Sequence, residues 1–103
     1  MPPIDEARIR REALRWLILL TLNNARPIGA YEGPVLSVAH SEYPDATALE
    51  LRRELDYLHD RELVVVTKEP SGRWHCELTR HGTDVAEYTV DVEPGIARPK
   101  KYW

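Results

Sequence analysis

The amino-acid sequence predicts an α+β fold that is mainly helical and contains one small β-hairpin. Between residues 46 and 60, apolar residues recur at the three- and four-residue spacing of a helix with one buried face. Residues 63–69 form an apolar, β-branched run, and residues 74–79 alternate apolar and polar side chains around the turn-forming segment 70–72. A helix that leads into a hairpin and then into another helix has the order of a winged helix-turn-helix. The expected architecture is a three-helix core with a two-stranded wing, a C-terminal helical turn and a tail.

The first helix is predicted to run from about Glu6 to Asn24. Pro2 and Pro3 precede it, and Asp5 is a suitable N-cap residue. The second half of this helix, ALRWLILLTL, is apolar on nearly every face. A surface helix needs only one apolar stripe, so this helix is either the central one or contacts another chain.

The second and third helices are predicted from turn signals. Residues Arg26 to Gly33 are expected to form a loop, and Pro34 suits the first turn of a second helix from Val35 to about His40. After a short turn, Asp45 is the expected cap of a third helix that begins at Ala46.

The third helix is predicted to have one inward and one outward face. Its inward face carries residues spaced by three, four and three positions: Ala48, Leu51, Leu55 and Leu58. The opposite face is expected to carry Ala46, Glu50, Arg53, Tyr57 and Asp60.

The hairpin is predicted to lead into a fourth helix and then a tail. Thr79 can cap a helical piece that extends through Tyr88. The chain after Thr89 contains Pro94, Gly95 and Pro99, which prevent a regular helix. We therefore expect a winged helix-turn-helix domain over residues 1–88 and a C-terminal tail over residues 89–103.

Length and composition predict one soluble cytoplasmic domain. The chain has 103 residues, which is enough for a single core, and its 43% apolar content favours a packed fold over disorder. Cys76 is the one cysteine, so an intramolecular disulfide cannot form and a reducing compartment fits. The apolar run from Trp16 to Leu20 is too short to span a bilayer, and no small-residue cleavage site follows it, so neither a transmembrane helix nor a signal peptide is expected.

The charge distribution does not favour broad, charge-driven binding to nucleic acid. The formal net charge is −3 and the isoelectric point is near 5.8, whereas such binding normally accompanies a basic domain. Residues 45–62, which contain the expected recognition helix, sum to −3. The segments 1–25, 63–82 and 89–103 each sum to +1.

Three sequence segments carry a family resemblance. The helix end YLHDRELV and the segment LTRHGTDVA are common to winged-helix regulators, and PGIARP follows them. Together they resemble a family of small winged-helix proteins of Mu-like transposable phages and prophages, which are similar to ArsR-type bacterial regulators. The resemblance covers roughly residues 7–99. It implies a winged-helix fold and a phage or prophage protein in the cytoplasm of a bacterial host.

The third helix supplies the first candidate DNA-binding residues. Arg53 can contact guanine edges or phosphates, and Tyr57 can donate to a phosphate, with Thr47 at the start of the helix as a third candidate. Glu50, Asp56 and Asp60 lie on or beside this face and repel phosphates. The alternative is a solvated face with local pairs, such as Glu50 with Arg53.

The wing supplies the second candidate contact. Lys68 and Arg73 flank the hairpin turn, and basic residues at such a tip can enter the minor groove or contact its phosphates. Glu69 reduces the positive charge there. A polar, solvated hairpin without a partner is the alternative.

The tail supplies the third candidate, because basic residues and aromatic rings at a chain end can follow a phosphate backbone or stack on bases. The alternatives are that the aromatic rings pack on an apolar patch or that the terminus is frayed. The residues concerned are Arg98, Lys100, Lys101, Tyr102 and Trp103.

Neither a metal site nor an enzyme is expected, and no cofactor is predicted. His75, Cys76 and His81 suggest a metal sensor, but adjacent residues of a strand point to opposite faces. The sequence contains no glycine-rich phosphate loop and no nucleophile elbow.

Two functions remain at this stage. The first is a small DNA-binding transcriptional regulator that forms a homodimer through its first helix and so presents two third helices to successive major grooves. The second is a protein-interaction module of the same fold, without direct DNA contact, whose acidic third helix binds a basic protein partner.

Overall fold

The structure is a computed structural model and describes residues 3–101. Pro2 before the first helix, and Tyr102 and Trp103 in the tail, lie outside the described residues. The elements in chain order are α1 (Glu6–Asn24), β1 (Ala30–Tyr31), α2 (Glu32–Ala39), α3 (Ala48–Asp60), β2 (Val64–Lys68), β3 (Trp74–Leu78) and α4 (Arg80–Ala86).

The central helix of the fold is α1, which is one of the two possibilities that the sequence leaves open. Leu14, Ile18, Leu19 and Leu22 are at most 1% exposed, and α1 packs against the other three helices and β3. Asp5 caps the helix by accepting a hydrogen bond from the Arg8 backbone N–H at 3.0 Å. No helix within residues 3–101 is long and apolar enough to cross a membrane.

The sheet has three antiparallel strands rather than the two that the sequence predicts. Their order is β1-β3-β2, and Ala30 lies opposite Cys76 in the additional pairing. The predicted loop from Arg26 to Gly33 is therefore wrong at its end. Gly29, at φ +78°, brings the chain so close to β3 that a Cβ would collide with the Cys76 carbonyl. A two-residue strand is too short to produce a sequence period.

Two helix starts differ from the prediction. The structure places the start of α2 at Glu32 instead of Val35, with Pro34 still in the first turn. The cap of α3 is Thr47 and not Asp45, because the Thr47 hydroxyl accepts a hydrogen bond from the Glu50 N–H at 3.1 Å. This segment matches the pattern Thr-x-x-Glu, which is typical of a helix start.

The prediction of the inward face of α3 is confirmed for its three leucines, whereas the predicted positions of Ala46 and Ala48 are wrong. Leu51, Leu55 and Leu58 are at most 1% exposed. Ala48 is exposed, whereas Ala46, predicted on the outward face, is buried. The reason is that α3 begins at residue 48, so Ala46 belongs to the preceding turn and does not follow the helical period.

The β2–β3 hairpin and the cap of α4 are confirmed. The hairpin pairs Val64 with Leu78 at its base and Lys68 with Trp74 near its tip. The Thr79 hydroxyl accepts from the Gly82 N–H at 2.9 Å. Helix α4 ends at Ala86, two residues before the predicted end.

Residues 89–101 are irregular, as the prolines predict, but they are packed. Ile96 is 8% exposed, and the Ala97 N–H donates to the Glu12 carbonyl at 3.1 Å. The Tyr88 hydroxyl donates to the Pro99 carbonyl at 2.7 Å. The division between a domain and a tail at residue 88 stays a prediction. The whole arrangement, four helices with a small antiparallel sheet, is compatible with a winged helix-turn-helix.

Candidate nucleic-acid interface

The exposed side of α3 faces solvent beside the hairpin. It includes the exposed Leu49, Arg53 and Asp60 and the partly exposed Asp56, spaced by four, three and four residues, and we call these four residues the α3 outer face. Leu49 is 60% exposed. The outward face predicted from sequence shares only Arg53 and Asp60 with it, so that prediction is largely wrong.

Arg53 is an unpaired cation on the α3 outer face. It is exposed and makes no hydrogen bond, ion pair or ring contact with any residue between 3 and 101. The local pair with Glu50, which was the alternative to a DNA contact, does not form, because the Glu50 carboxylate instead accepts two hydrogen bonds from the Arg10 guanidinium, at 2.6 and 2.7 Å. Arg53 is therefore free to contact a ligand.

Tyr57 is turned away from the α3 outer face. Its half-buried ring lies between two guanidinium groups, with the Arg15 carbon at 3.4 Å and the Arg61 carbon at 3.6 Å from the ring centroid. Its hydroxyl lies close to Gly95, where an added Cβ would collide with it. The structure therefore gives Tyr57 a packing role and does not bring it beside Arg53.

Cations from other elements neutralise most of the acidic groups around α3. Arg10 binds Asp45 as well as Glu50, and its guanidinium lowers the pKa of the Asp45 carboxyl through a 2.9 Å hydrogen bond. The Arg15 guanidinium from α1 binds Glu54 at 2.7 Å. Lys68 also lies beside Asp56, at 3.6 Å. When these three cations are counted together with Glu32, which pairs with Arg52 of α3, the local charge balance changes from −3 to −1.

Two cations, one from the hairpin and one from α3, stack on the Trp74 ring of the hairpin. The Lys68 amino group lies 4.4 Å from the centroid of the Trp74 ring, and the Arg52 guanidinium lies 4.6 Å from the same centroid. Arg52 also binds the Glu32 carboxylate and donates to the Gly72 carbonyl at 2.9 Å. The hydrogen bond from Arg52 lowers the pKa of the Glu32 carboxyl. Arg52 thus connects α3 to α2 and to the hairpin turn.

Arg73 lies at the hairpin tip and is supported by β1. Its guanidinium lies 3.7 Å from the centroid of the Tyr31 ring. The Tyr31 hydroxyl donates to the Glu69 carboxylate at 2.7 Å, and this hydrogen bond raises the pKa of Tyr31. Arg73 stays exposed at the hairpin tip, so it remains accessible to a phosphate.

The remaining predicted site residues lie apart from this surface or at its edge. Thr47 is exposed at the N-terminus of α3, where it serves as the cap. Lys100 and Lys101 are exposed and follow Pro99. The contacts of residues 97–99 are with α1, α4 and the segment just after α4. These contacts attach the segment just before the tail lysines to the helical side of the fold.

The cysteine and histidines considered as metal ligands do not converge. Cys76 is fully buried, and burial raises the pKa of its thiol to about 12. The His75 ring packs edge-on against Tyr31, 4.9 Å between centroids. Among residues 3–101, no group of three or more histidine, cysteine or acidic side chains could hold a metal ion.

Sequence reasoning missed three residues of this site. Leu49 was detectable as an apolar residue outside the inward stripe of α3. Arg10 and Arg52 had no such signal, because their partners are distant in the chain. The partners of Arg10 are 35 and 40 residues away, and the partner of Arg52 is 20 residues away.

Comparisons with known proteins support the fold. No protein-family model and no curated protein matches this chain. Its structure is similar to a crystal structure from Ralstonia eutropha JMP134 that is described as a "putative DNA-binding protein". The TM-score is 0.63 at 24% sequence identity, and the match covers 76% of this chain and 95% of that one. At this identity the likeness shows a shared fold.

Proposed function

We propose that this protein binds double-stranded DNA through the α3 outer face and the hairpin tip. The observation that carries the proposal is Arg53, an unpaired exposed arginine at the centre of a helix face whose neighbouring acidic groups are mostly neutralised. A helix of this kind fits the major groove, where arginine contacts guanine bidentately. Lys68, which lies beside Asp56 of the same face, and Arg73 at the hairpin tip are the proposed phosphate contacts.

The similarity to a protein described as a "putative DNA-binding protein" supports this proposal. The order of elements further supports a winged helix-turn-helix in which α3 is the recognition helix. We infer that the protein acts as a small transcriptional regulator in the bacterial cytoplasm. Its resemblance to proteins of Mu-like phages, carried by LTRHGTDVA and PGIARP, supports a phage or prophage origin.

The apolar stripe of α1 supports a homodimer. Ile9, Ala13, Leu17 and Leu20 are spaced by four, four and three residues and so share one face of the helix. Ile9 is 56% exposed. The stripe borders a groove of about 250 Å³ that Trp16, Tyr43 and Ala97 also line. Pairing two copies through α1 presents two α3 helices to the DNA and raises the affinity above that of one domain.

The proposal is tested by titrating labelled duplex DNA and measuring fluorescence anisotropy at about 50 mM and about 200 mM salt. We expect binding that weakens steeply as salt rises. Arg53→Ala and Arg73→Ala should each weaken it by about 1 kcal/mol or more, which is fivefold or greater. No binding at the lower salt concentration would contradict the proposal.

A charge-matched control separates specific contacts from a general change in net charge. Arg26 is an exposed arginine that pairs with Glu87 after α4, away from the hairpin. Arg26→Ala should leave DNA affinity nearly unchanged. A double Lys100→Ala and Lys101→Ala variant tests the tail: lower affinity assigns the tail lysines to the DNA contact, and unchanged affinity restricts the site to α3 and the hairpin.

The alternative, a protein-interaction module that binds a basic partner, rests on the acidity of residues 45–62. Four of the six acidic side chains in that segment are held in ion pairs, namely Asp45, Glu50, Glu54 and Asp56. The charge argument for a basic partner is correspondingly smaller.

A further inference from the structure

Leu49 is a large aliphatic side chain on the first turn of α3 that the core does not use. It is 60% exposed and lies outside the buried cluster. It precedes Arg53 by four residues, so the two side chains are neighbours on the helix surface. Single exposed leucines are common on protein surfaces. This one lies beside the unpaired arginine, near the end of the helix that reaches base edges in a groove-bound recognition helix.

We propose that Leu49 is a specificity-determining residue that contacts the 5-methyl group of a thymine in the major groove. The inference rests on the proposed DNA-binding function. Residues four apart in a helix are displaced by about 6 Å along its axis, whereas successive base pairs are displaced by about 3.4 Å. Leu49 and Arg53 therefore reach bases about one or two steps apart, a thymine and a guanine of the same half-site.

The chemistry of base edges favours thymine over the other three bases. Adenine, guanine and cytosine present hydrogen-bond donors or acceptors in the major groove, and thymine adds an apolar methyl group. A leucine can satisfy no donor or acceptor, and a polar edge that is buried without a partner costs free energy. Arg53 supplies the complementary contact, because its guanidinium matches the two acceptors of guanine.

The test measures binding to DNA from which only the thymine methyl group has been removed. A preferred duplex is first selected from a randomised pool with the wild-type protein, and its thymines are then replaced one at a time by deoxyuridine. We expect one replacement per half-site to weaken wild-type binding by about fourfold, the effect of losing one buried carbon group. Leu49→Ala should bind the thymine and uracil duplexes equally well.

Two controls make the result specific. Ile28 is another exposed aliphatic residue, at 77%, but lies in the loop after α1. Ile28→Ala should keep the wild-type ratio between thymine and uracil. Replacing the neighbouring guanine by 7-deazaguanine removes its N7 acceptor and should weaken the wild-type protein but not Arg53→Ala. Thermal melting by circular dichroism checks that every variant is folded.

The outcomes distinguish this inference from the proposed function. If no thymine replacement changes wild-type affinity, or if Leu49→Ala keeps the wild-type ratio, Leu49 does not contact a methyl group although DNA binding stands. If no duplex binds at low salt, both the inference and the proposed function are wrong.

Discussion

Arg15 and Glu54 form a buried ion pair between α1 and α3. Their side chains are 11% and 5% exposed, and the Arg15 Nε lies 2.7 Å from a Glu54 carboxylate oxygen. Arg15 also donates to the Gly95 carbonyl at 2.8 Å and stacks on Tyr57. One arginine thus connects α1 to α3 and to the segment that contains PGIARP.

We expect Glu54→Gln to destabilise the protein by about 3 kcal/mol. Removing one partner of a buried ion pair leaves the other charge uncompensated in a medium of low polarity. Urea unfolding followed by circular dichroism measures the change in free energy. Glu12→Gln is the matched control, since Glu12 pairs with the 70% exposed Arg8, and it should cost at most about 1 kcal/mol. Equal effects of the two variants would contradict the assignment.

At the scale of elements, the contact between Glu32 and Arg52 holds α2 against α3 and the hairpin turn. The Glu32 side chain is 17% exposed, and the Arg52 guanidinium lowers the pKa of its carboxyl below the ordinary 4.5. A carboxyl whose pKa is lowered by folding stabilises the protein above its ordinary pKa. That stabilisation is lost as the pH falls below 4.5 through the lowered value.

We therefore expect Glu32→Gln to destabilise the protein by about 1 kcal/mol near neutral pH and to have less effect in acid. Urea midpoints of the wild type and the variant should converge as the pH falls from about 5 towards about 3. Glu93→Gln removes an exposed carboxylate without an ion pair and should follow the wild type throughout. A constant difference between wild type and Glu32→Gln across that range would refute the linkage.

The elements also show which features were predictable from sequence. Helix α1 and the β2–β3 hairpin have strong periods and clear capping or turn residues, and their predicted bounds are confirmed within a residue or two. Strand β1 was missed because two residues have no period, and because only its pairing with β3 makes it a strand. The sequence predicts Asp45 as the cap of α3, but Asp45 binds Arg10 and Thr47 caps the helix.

At the scale of the whole molecule, the proposed DNA surface and the α1 stripe lie on different elements of the fold, so each can be substituted without changing the residues of the other. The residues of the stripe are Ile9, Ala13, Leu17 and Leu20, and those of the DNA surface are Arg53, Lys68 and Arg73. Association through α1 buries the exposed Ile9.

We expect a concentration-dependent dimer in sedimentation velocity, which Ile9→Glu should weaken because it places a charge in an apolar contact. Ile28→Glu is the control, since Ile28 is more exposed but lies outside the stripe. If Ile9 lies in the dimer contact, Ile9→Glu also lowers DNA affinity, whereas Arg53→Ala leaves self-association unchanged. A strict monomer at high micromolar concentration would remove the dimer from the proposal.

The sequence by itself determined the order of helices and hairpin, the buried leucines of α3 and Arg53 as a candidate DNA contact. These features follow from local periodicity, capping and residue chemistry, which a linear chain displays directly. The tertiary structure alone decided the electrostatics of the site. Arg10 and Arg15 from α1, and Lys68 from β2, lie against the acidic groups around α3. Charge pairing depends on distance in space, so a sum over consecutive residues assigned to α3 an acidity that the folded protein largely neutralises.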